Sequence, residues 1–504
     1  MLRSLTIQID HHHELYDYCN ELCHNATNIY NATLFRVRQV LTAVTKEPDK
    51  LTDNESTVMT EVKDFVNHNK SGRYHMPTKG NSYLNYNFLE ALMRHTNNPD
   101  FFKDGYPHQC AQNQIKLVTK NMKSFYKAIA DYKQNPDKYF ARPKLPGYHH
   151  KGGCSTEIIT NQDAVLYGNM LKLPCTKTRL NIGKEIPGKL KQVTIKPQNG
   201  IFIVALNYDD GQETPEPSTN PKRIISIDVG LRNIAAITNN INEPSMLFKG
   251  GVLKSVNQKY NKTVAKIVSE QTLKTKQKFK PTPEFEKVCR YRNNCIDDFM
   301  HKLSRKIVDW CVEHTIDTII IGKTPNQKQE IDLGHVTNQN FVQIPFNRLI
   351  ALISCKATYK GIAVIQHEES YTSKASFIDN DPIPVFNPKE PGKDYKFSGK
   401  RSPGRYKNMR SNKGFYGIYV TADGTAINAD FNGSANIARK AVPDIFSACA
   451  PSFDNVVISK HPDYSAAVEN TKKQLALNKH HTSKSWMKRE ALRQKKLSKV
   501  IPME

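Results

Sequence analysis

The hydrophobic rhythm of the chain changes twice. Thr6-Ile-Gln-Ile9 alternates apolar and polar positions in the manner of a half-buried strand. From Glu14 to about Lys138 the period lengthens to threes and fours. Leu15, Tyr18, Leu22 and Ala26 fall on one helical face, and Ile115, Val118, Met122, Phe125 and Ile129 on another. Residues 45–79 between them are polar and read as loop-rich, so residues 14–138 are expected to form a helical lobe with Lys and Asn outward. The prolines of Arg142-Pro-Lys-Leu-Pro-Gly-Tyr148 end the helical texture. Short strand patterns follow, closing with Ile201-Phe-Ile-Val-Ala-Leu206. Their lengths suggest a small antiparallel barrel into which residues 6–9 fit.

A linker rich in Pro, Glu and Thr, residues 211–221, precedes the second change. Arg223-Ile-Ile-Ser-Ile-Asp228 is a buried-strand run, and Ile234-Ala-Ala-Ile-Thr238 is a second strand. A long basic helical pair covers residues 252–314, and Thr318-Ile-Ile-Ile321 is another buried strand. Pro345 opens a helix that ends near Gly361, and Ile362-Ala-Val-Ile365 follows. Strands alternating with helices argue for α/β architecture with partly parallel pairing. Residues 381–413 form a basic, Pro- and Gly-rich loop, and residues 416–421 are expected to pair with residues 425–428. The chain past Lys440 is polar and reads as a disordered basic tail. The expected division is therefore 1–13, 14–138, 139–221, 222–440 and 441–504.

Charge narrows the partners. Against 48 Asp and Glu stand 73 Lys and Arg, a net +25 over 504 residues. A field of that size favours polyanions. No window reaches the ~18 to 20 apolar residues of a membrane span. The first residues are too interrupted for a secretory signal, so a protein that stays in the cytoplasm is expected. The ten cysteines form no CxxC pair. Cys19 and Cys23, one helical turn apart beside His24, read as core thiols rather than zinc ligands.

Candidate chemistry lies in the acids. Asp228 ends a buried strand before Val229-Gly230, Glu368 and Glu369 follow another, and Asp430 precedes a helix-like run of small residues. Singly, each has a plainer role: Asp430 as a helix N-cap, Asp228 as a turn residue, Glu368 and Glu369 as solvated strand-end charges. Jointly, converging carboxylates repel one another, and divalent cations relieve that repulsion. Two Mg²⁺ ions roughly 3.5 to 4 Å apart could then activate water and stabilise the leaving oxygen of a phosphodiester.

Ser226-Ile-Asp-Val-Gly-Leu-Arg-Asn-Ile-Ala-Ala236 resembles the first RuvC motif of TnpB, the nuclease of bacterial insertion sequences and relative of Fanzor proteins and type V CRISPR effectors. Asn428-Ala-Asp-Phe-Asn-Gly-Ser-Ala-Asn-Ile437 resembles that family's third RuvC motif. Between them, His301-Lys-Leu-Ser-Arg305, the helix after Pro345 and Tyr371-Thr-Ser-Lys374 fall in the family's order. The resemblance implies a multidomain α+β fold: a split β-barrel (wedge) with an inserted helical recognition lobe, followed by an RNase H-like (RuvC) α/β nuclease domain. It further implies a bacterial, cytoplasmic RNA-guided DNA endonuclease that acts at the nucleoid. A guide RNA (omega RNA) would pair with a double-stranded DNA target beside a short flanking motif. Asp228, Glu369 and Asp430 would hold two Mg²⁺, and a monomer is favoured.

The sequence departs from that pattern twice. The family's second acid usually ends the strand written here Thr318-Ile-Ile-Ile-Gly322-Lys323, and Gly322 cannot serve. Some branches carry a relocated Glu just before Tyr-Thr-Ser, which Glu369 matches, with Glu368 as the alternative acid. The family's zinc ribbon would begin after Ser373-Lys374, but Ala375-Ser376 stands there, so no zinc is expected. The basic loop takes its place, and Lys374, Lys400, Arg401 and Arg405 are expected to contact nucleic acid. The rival readings are a nuclease-inactive, RNA-guided DNA-binding repressor and an RNase H-fold transposase.

Overall fold

The computed structural model describes residues 1–69, 72–218, 220–323, 343–387, 395–402, 406–407, 414–415, 417–462 and 467–470. The chain divides into two units, residues 1–213 and 214–504, with the boundary inside the expected linker.

In the first unit the alternation at the start becomes β1 (Leu2–Ile9). Helices α1 (Tyr16–Ala43), α2 (Asp53–His68), α3 (Tyr86–His95) and α4 (His108–Gln134) follow before the chain returns to β structure. The later strands are β2 (Glu157–Thr160), β3 (Val165–Tyr167), β4 (Met170–Lys172), β5 (Arg179–Asn181), β6 (Lys189–Gln198) and β7 (Ile201–Asp209). Their antiparallel pairings give a sheet ordered β1-β7-β6-β2 and a second ordered β3-β4-β5. β1 thus pairs with a strand some two hundred residues away, Leu2 opposite Asp209 and Ile9 opposite Phe202. The helical lobe is an insertion. Asn199-Gly200 turns β6 into β7 with positive φ at both residues (48° and 72°), as a two-residue hairpin of matching twist demands.

Two expectations about the lobe have outcomes here. Cys19 and Cys23 are buried on α1, and burial pushes the Cys19 thiol up to about 12, so they are core thiols. The polar stretch at 45–79 is not mostly loop, because α2 occupies its middle. Its start is a capping box: Thr52 accepts from the Glu55 amide, and Glu55 accepts from the Thr52 amide (2.9 Å). Val58, Val62 and Phe65 then bury a stripe too narrow to register against so many polar neighbours.

In the second unit β8 (Ile224–Asp228), β9 (Asn233–Asn239) and β10 (Pro244–Lys249) form an antiparallel meander. Helices α5 (Gly251–Thr275) and α6 (Pro283–Glu313) are the expected basic pair. β11 (Thr318–Lys323) lies parallel to β8, and after α7 (Phe346–Thr358), β12 (Ala363–Glu368) lies parallel to β11. The order β12-β11-β8-β9-β10 is that of an RNase H-like sheet. Ile225, Ile227, Ile319, Ile321, Phe299 and Leu303 belong to its core. The strand run at 418–420 pairs with 426–428, as expected of the late hairpin.

Helix α8 (Ala429–Ala441) lies on this sheet through small residues. Ser226 donates to the Ser434 carbonyl (2.7 Å), and Ser434 returns a bond to the Ser226 carbonyl (2.8 Å). Only a face of Gly, Ser and Ala lets helix and strand backbones come that close.

The chain beyond 440 is not simply a tail. Ser452–Ser459 is a strand parallel to β10, and Val456 and Ile458 bury themselves with Phe431 and Leu247. A few apolar side chains facing an uncovered sheet edge outweigh the polar average of the segment. Residues 471–504 of the expected tail lie outside the described residues. No helix of the described residues is long and apolar enough to cross a membrane.

Candidate carboxylate centre

Asp228 is the last residue of β8, where the strand leaves the core, and it is half-buried. Gly433 on α8 faces it so closely that a Cβ there would lie 2.6 Å from Asp228 Oδ2. Burial raises the Asp228 carboxyl well above the ordinary carboxylate range, and the charges of Asp430 and Glu369 raise it further. The Arg401 guanidinium opposes them. Acids from two distant stretches therefore act on the Asp228 carboxyl.

Asp430 sits in the first turn of α8, but it is not the N-cap. Asn428 takes that role, its side chain accepting from the amides of Asp430 (2.9 Å) and Phe431 (3.4 Å). The Asp430 carboxylate is left for other partners at the positive end of the helix. Asn233 Nδ2 donates to its Oδ2 at 2.6 Å, and Arg401 Nη2 donates to its Oδ1 at 3.1 Å. With its NH₂ fixed on that carboxylate, Asn233 keeps a buried Oδ1 with no hydrogen-bond partner among the described residues.

Glu369 follows β12 directly. β11 and β12 run in parallel register, Gly322 opposite His367, so the acid is one strand away from the position where Gly322 stands. A Cβ on Gly322 would collide with the Glu369 carboxylate and would lie 2.5 Å from Ile437 Cδ1. The glycine is thus the space that the Glu369 carboxyl occupies.

Two fully buried asparagines of α8 hold the segment that carries Glu369. Asn432 donates to the Ala375 carbonyl (2.8 Å) and accepts from the Phe377 amide (2.9 Å). Asn436, one turn on, donates to the Thr372 (2.9 Å) and Ala375 (2.8 Å) carbonyls. Thr372 Oγ1 closes back on the Glu369 carbonyl at 2.8 Å.

Glu368 lies outside the cluster. Lys440 Nζ holds it at 2.5 Å and also donates to the Ser370 and Pro384 carbonyls. Burial works to raise its carboxyl, but the bonds from Lys440 and Ser370 hold it below the usual range. The alternative acid is therefore a strut, since adjacent residues leaving a strand point to opposite sides.

Of the residues expected on nucleic acid, Lys374 is exposed with its ammonium 5.8 Å over the Tyr371 ring. Lys400 and Arg401 belong to a short strand paired with residues 419–420, so this part of the basic stretch is not a free loop. Arg405 lies outside the described residues. Asn233 and Lys440 escaped the sequence reading. Asn233 sits five residues after Asp228 at the opening of β9, and only the β8–β9 turn makes it a neighbour of Asp430.

The three carboxylates and the orphaned Asn233 amide oxygen are oxygen donors of the kind hard divalent cations such as Mg²⁺ take, while the Arg401 guanidinium, itself a cation, pairs with Asp430. The segment after Ala375 is closed by oxygen rather than sulfur. Buried Asp381 accepts from the Ser376 amide (2.8 Å), the Ser398 amide (3.0 Å) and the Ser398 hydroxyl (2.6 Å).

Residues 206–327 match the family OrfB_IS605, described as "Probable transposase". The likeness to TnpB read from the motifs is thereby borne out over this stretch. No protein of curated function matches the chain. Among solved structures, a Cas12f1–sgRNA–target DNA complex aligns at 13% identity over 88% of this chain and 100% of its own, TM-score 0.30. A CRISPR-Cas12f ternary complex aligns at 12% over 84% and 80%, TM-score 0.30. Alicyclobacillus acidoterrestris C2c1 with single-guide RNA aligns at 8% over 82% and 69%, TM-score 0.31. At such scores these likenesses carry no weight for fold or function.

Proposed function

We propose that this TnpB-like chain is an RNA-guided DNA endonuclease whose RNase H-like half hydrolyses phosphodiesters at Asp228, Glu369 and Asp430. The observation that carries the reading is packing: Gly433, in the helix that Asp430 opens, lies against Asp228 Oδ2, and the Glu369 carboxyl lies against Gly322 on the strand beside β8. The transposase likeness of residues 206–327 and the net charge of +25 support a nucleic-acid substrate. The Glu369 carboxyl beside Gly322 supports an intact centre over a decayed one.

Bound Mg²⁺ would supply charge neutralisation and an activated water in such a site. The residues do the rest. Asp228 and Asp430 present oxygens from a strand end and a helix start, two rigid elements. Glu369 comes from the end of β12, two strands from β8, held by Asn432 and Asn436 through the loop it opens. Asn233 orients Asp430, and Arg401, already on Asp430, offers a guanidinium to a scissile phosphate. A guide RNA would select the target by pairing, while Lys374, Lys400, Arg401 and Arg405 contact phosphates without reading bases.

The test is plasmid cleavage with Mg²⁺ by protein purified with its co-expressed RNA. Asp228→Ala and Asp430→Ala should each lower cutting by roughly 10²- to 10³-fold or more while RNA affinity stays within about twofold. Undiminished cutting by either variant rejects the assignment. RNA-directed binding with no cutting by the unaltered protein leaves the repressor reading.

A further inference from the structure

We propose that Asp64, His68 and His95, on the helical lobe, form a binding site for one divalent transition-metal ion of the zinc class, which ties α2 to α3. Asp64 and His68 are one turn apart on α2, and His95 is the last residue of α3. Asp64 Oδ1 is 3.1 Å from His68 Nδ1, and Oδ2 is 2.8 Å from His95 Nε2. A nitrogen of each ring and a carboxylate oxygen all lie within 4.8 Å of one another. Bonds of about 2.1 Å in tetrahedral geometry require ligand atoms about 3.4 Å apart, so the rings must turn, and ligation through His68 Nδ1 would replace its 3.0 Å contact with the Asp64 carbonyl. The Phe65 ring, 5.6 Å from His95, limits that ring's freedom on the buried side.

The ligand types choose the ion. Two imidazoles and one carboxylate favour Zn²⁺, Co²⁺ or Ni²⁺ over Mg²⁺, which takes oxygen and water. Glu61 lines the same cavity but is held by Arg36 (2.9 and 3.1 Å), so the remaining positions go to water. Side-chain exposures of 56% for Asp64 and 69% for His68 leave the entry path open. The site is separate in chain position and chemistry from the carboxylate centre, and it braces the lobe rather than cutting.

The test uses the full chain, freed of metal by chelation, in a His11→Ala/His12→Ala background that removes an exposed histidine pair able to bind the same ions. Calorimetric titration with Zn²⁺ should show one equivalent besides any taken by the carboxylate centre, and Co²⁺ should give visible d–d absorption. His95→Ala, and separately Asp64→Asn, should each weaken that equivalent by roughly tenfold or more. Asp228→Ala should leave it unchanged. Zn²⁺ should raise the melting temperature of the background protein and not that of His68→Ala/His95→Ala. An isotherm that is the same with and without those histidines overturns the proposal and leaves a hydrogen-bonded cluster only.

Discussion

Glu157, at the start of β2, is the most confined acid of the first unit. It is 0% exposed, accepting from Tyr106 Oη (2.5 Å), Gln114 Nε2 (3.3 Å) and the Ile158 amide (2.8 Å). Burial pushes its carboxyl up to about 7, the three hydrogen bonds only partly offsetting the loss of water. The folded state therefore keeps a proton that the unfolded chain releases near 4.5. Stability from this group is fully present below about pH 4.5 and is lost as pH rises through 7, a change of about 3 kcal/mol. Urea unfolding of wild type and Glu157→Gln between pH 4.5 and 9 should show the difference between them varying up to a little above pH 7 and flat beyond. A constant difference would mean that Glu157 titrates normally.

At the scale of elements, α8 is both scaffold and clamp. Its Gly-Ser-Ala face sets the approach to β8, its first turn carries Asp430, and Asn432 and Asn436 grip the segment after Glu369. Asn436→Ala improves helix propensity, yet it takes the side-chain donor from the Thr372 carbonyl and leaves Asn432 alone on the Ala375 carbonyl, at a cost of about 1–3 kcal/mol. Hydrogen exchange should therefore quicken over residues 370–377 while residues 429–441 stay protected, and cutting should fall with RNA binding intact. Exchange rising equally along α8 would make Asn436 merely part of the helix. The sequence held half of this clamp. Asp228 and Asp430 announce themselves by strand end and small-residue helix, and the alternation of strands and helices was enough to expect the α/β sheet. Glu369 needed the family pattern, because a strand-end Glu looks like any solvated charge. Its distinction from Glu368 came only with Lys440, which reaches across seventy-two residues. α2 and the strand at Ser452–Ser459 were missed because a few buried side chains outweigh a polar average.

For the whole molecule, the charge of +25 lets the proposed binding be tested apart from the proposed cutting. Like charges repel within each folded unit, and a polyanion that neutralises them stabilises the fold while releasing its own counterions. Affinity should then depend steeply on salt. If six or more phosphates are engaged, it falls by roughly 10³-fold or more between 50 and 200 mM salt. The acids of the centre contribute against this field, not with it. Removing Asp228 or Asp430 deletes one negative charge each and should leave the salt slope of RNA binding unchanged. Lys374→Ala or Lys400→Ala, by contrast, should each reduce the slope by about one if the side chain contacts a phosphate. Filter binding of the co-purifying RNA over a salt series reads both. A slope that drops for Asp228→Ala as it does for Lys400→Ala would place the carboxylate centre within the guide-binding surface, and the separation of pairing from chemistry would fail.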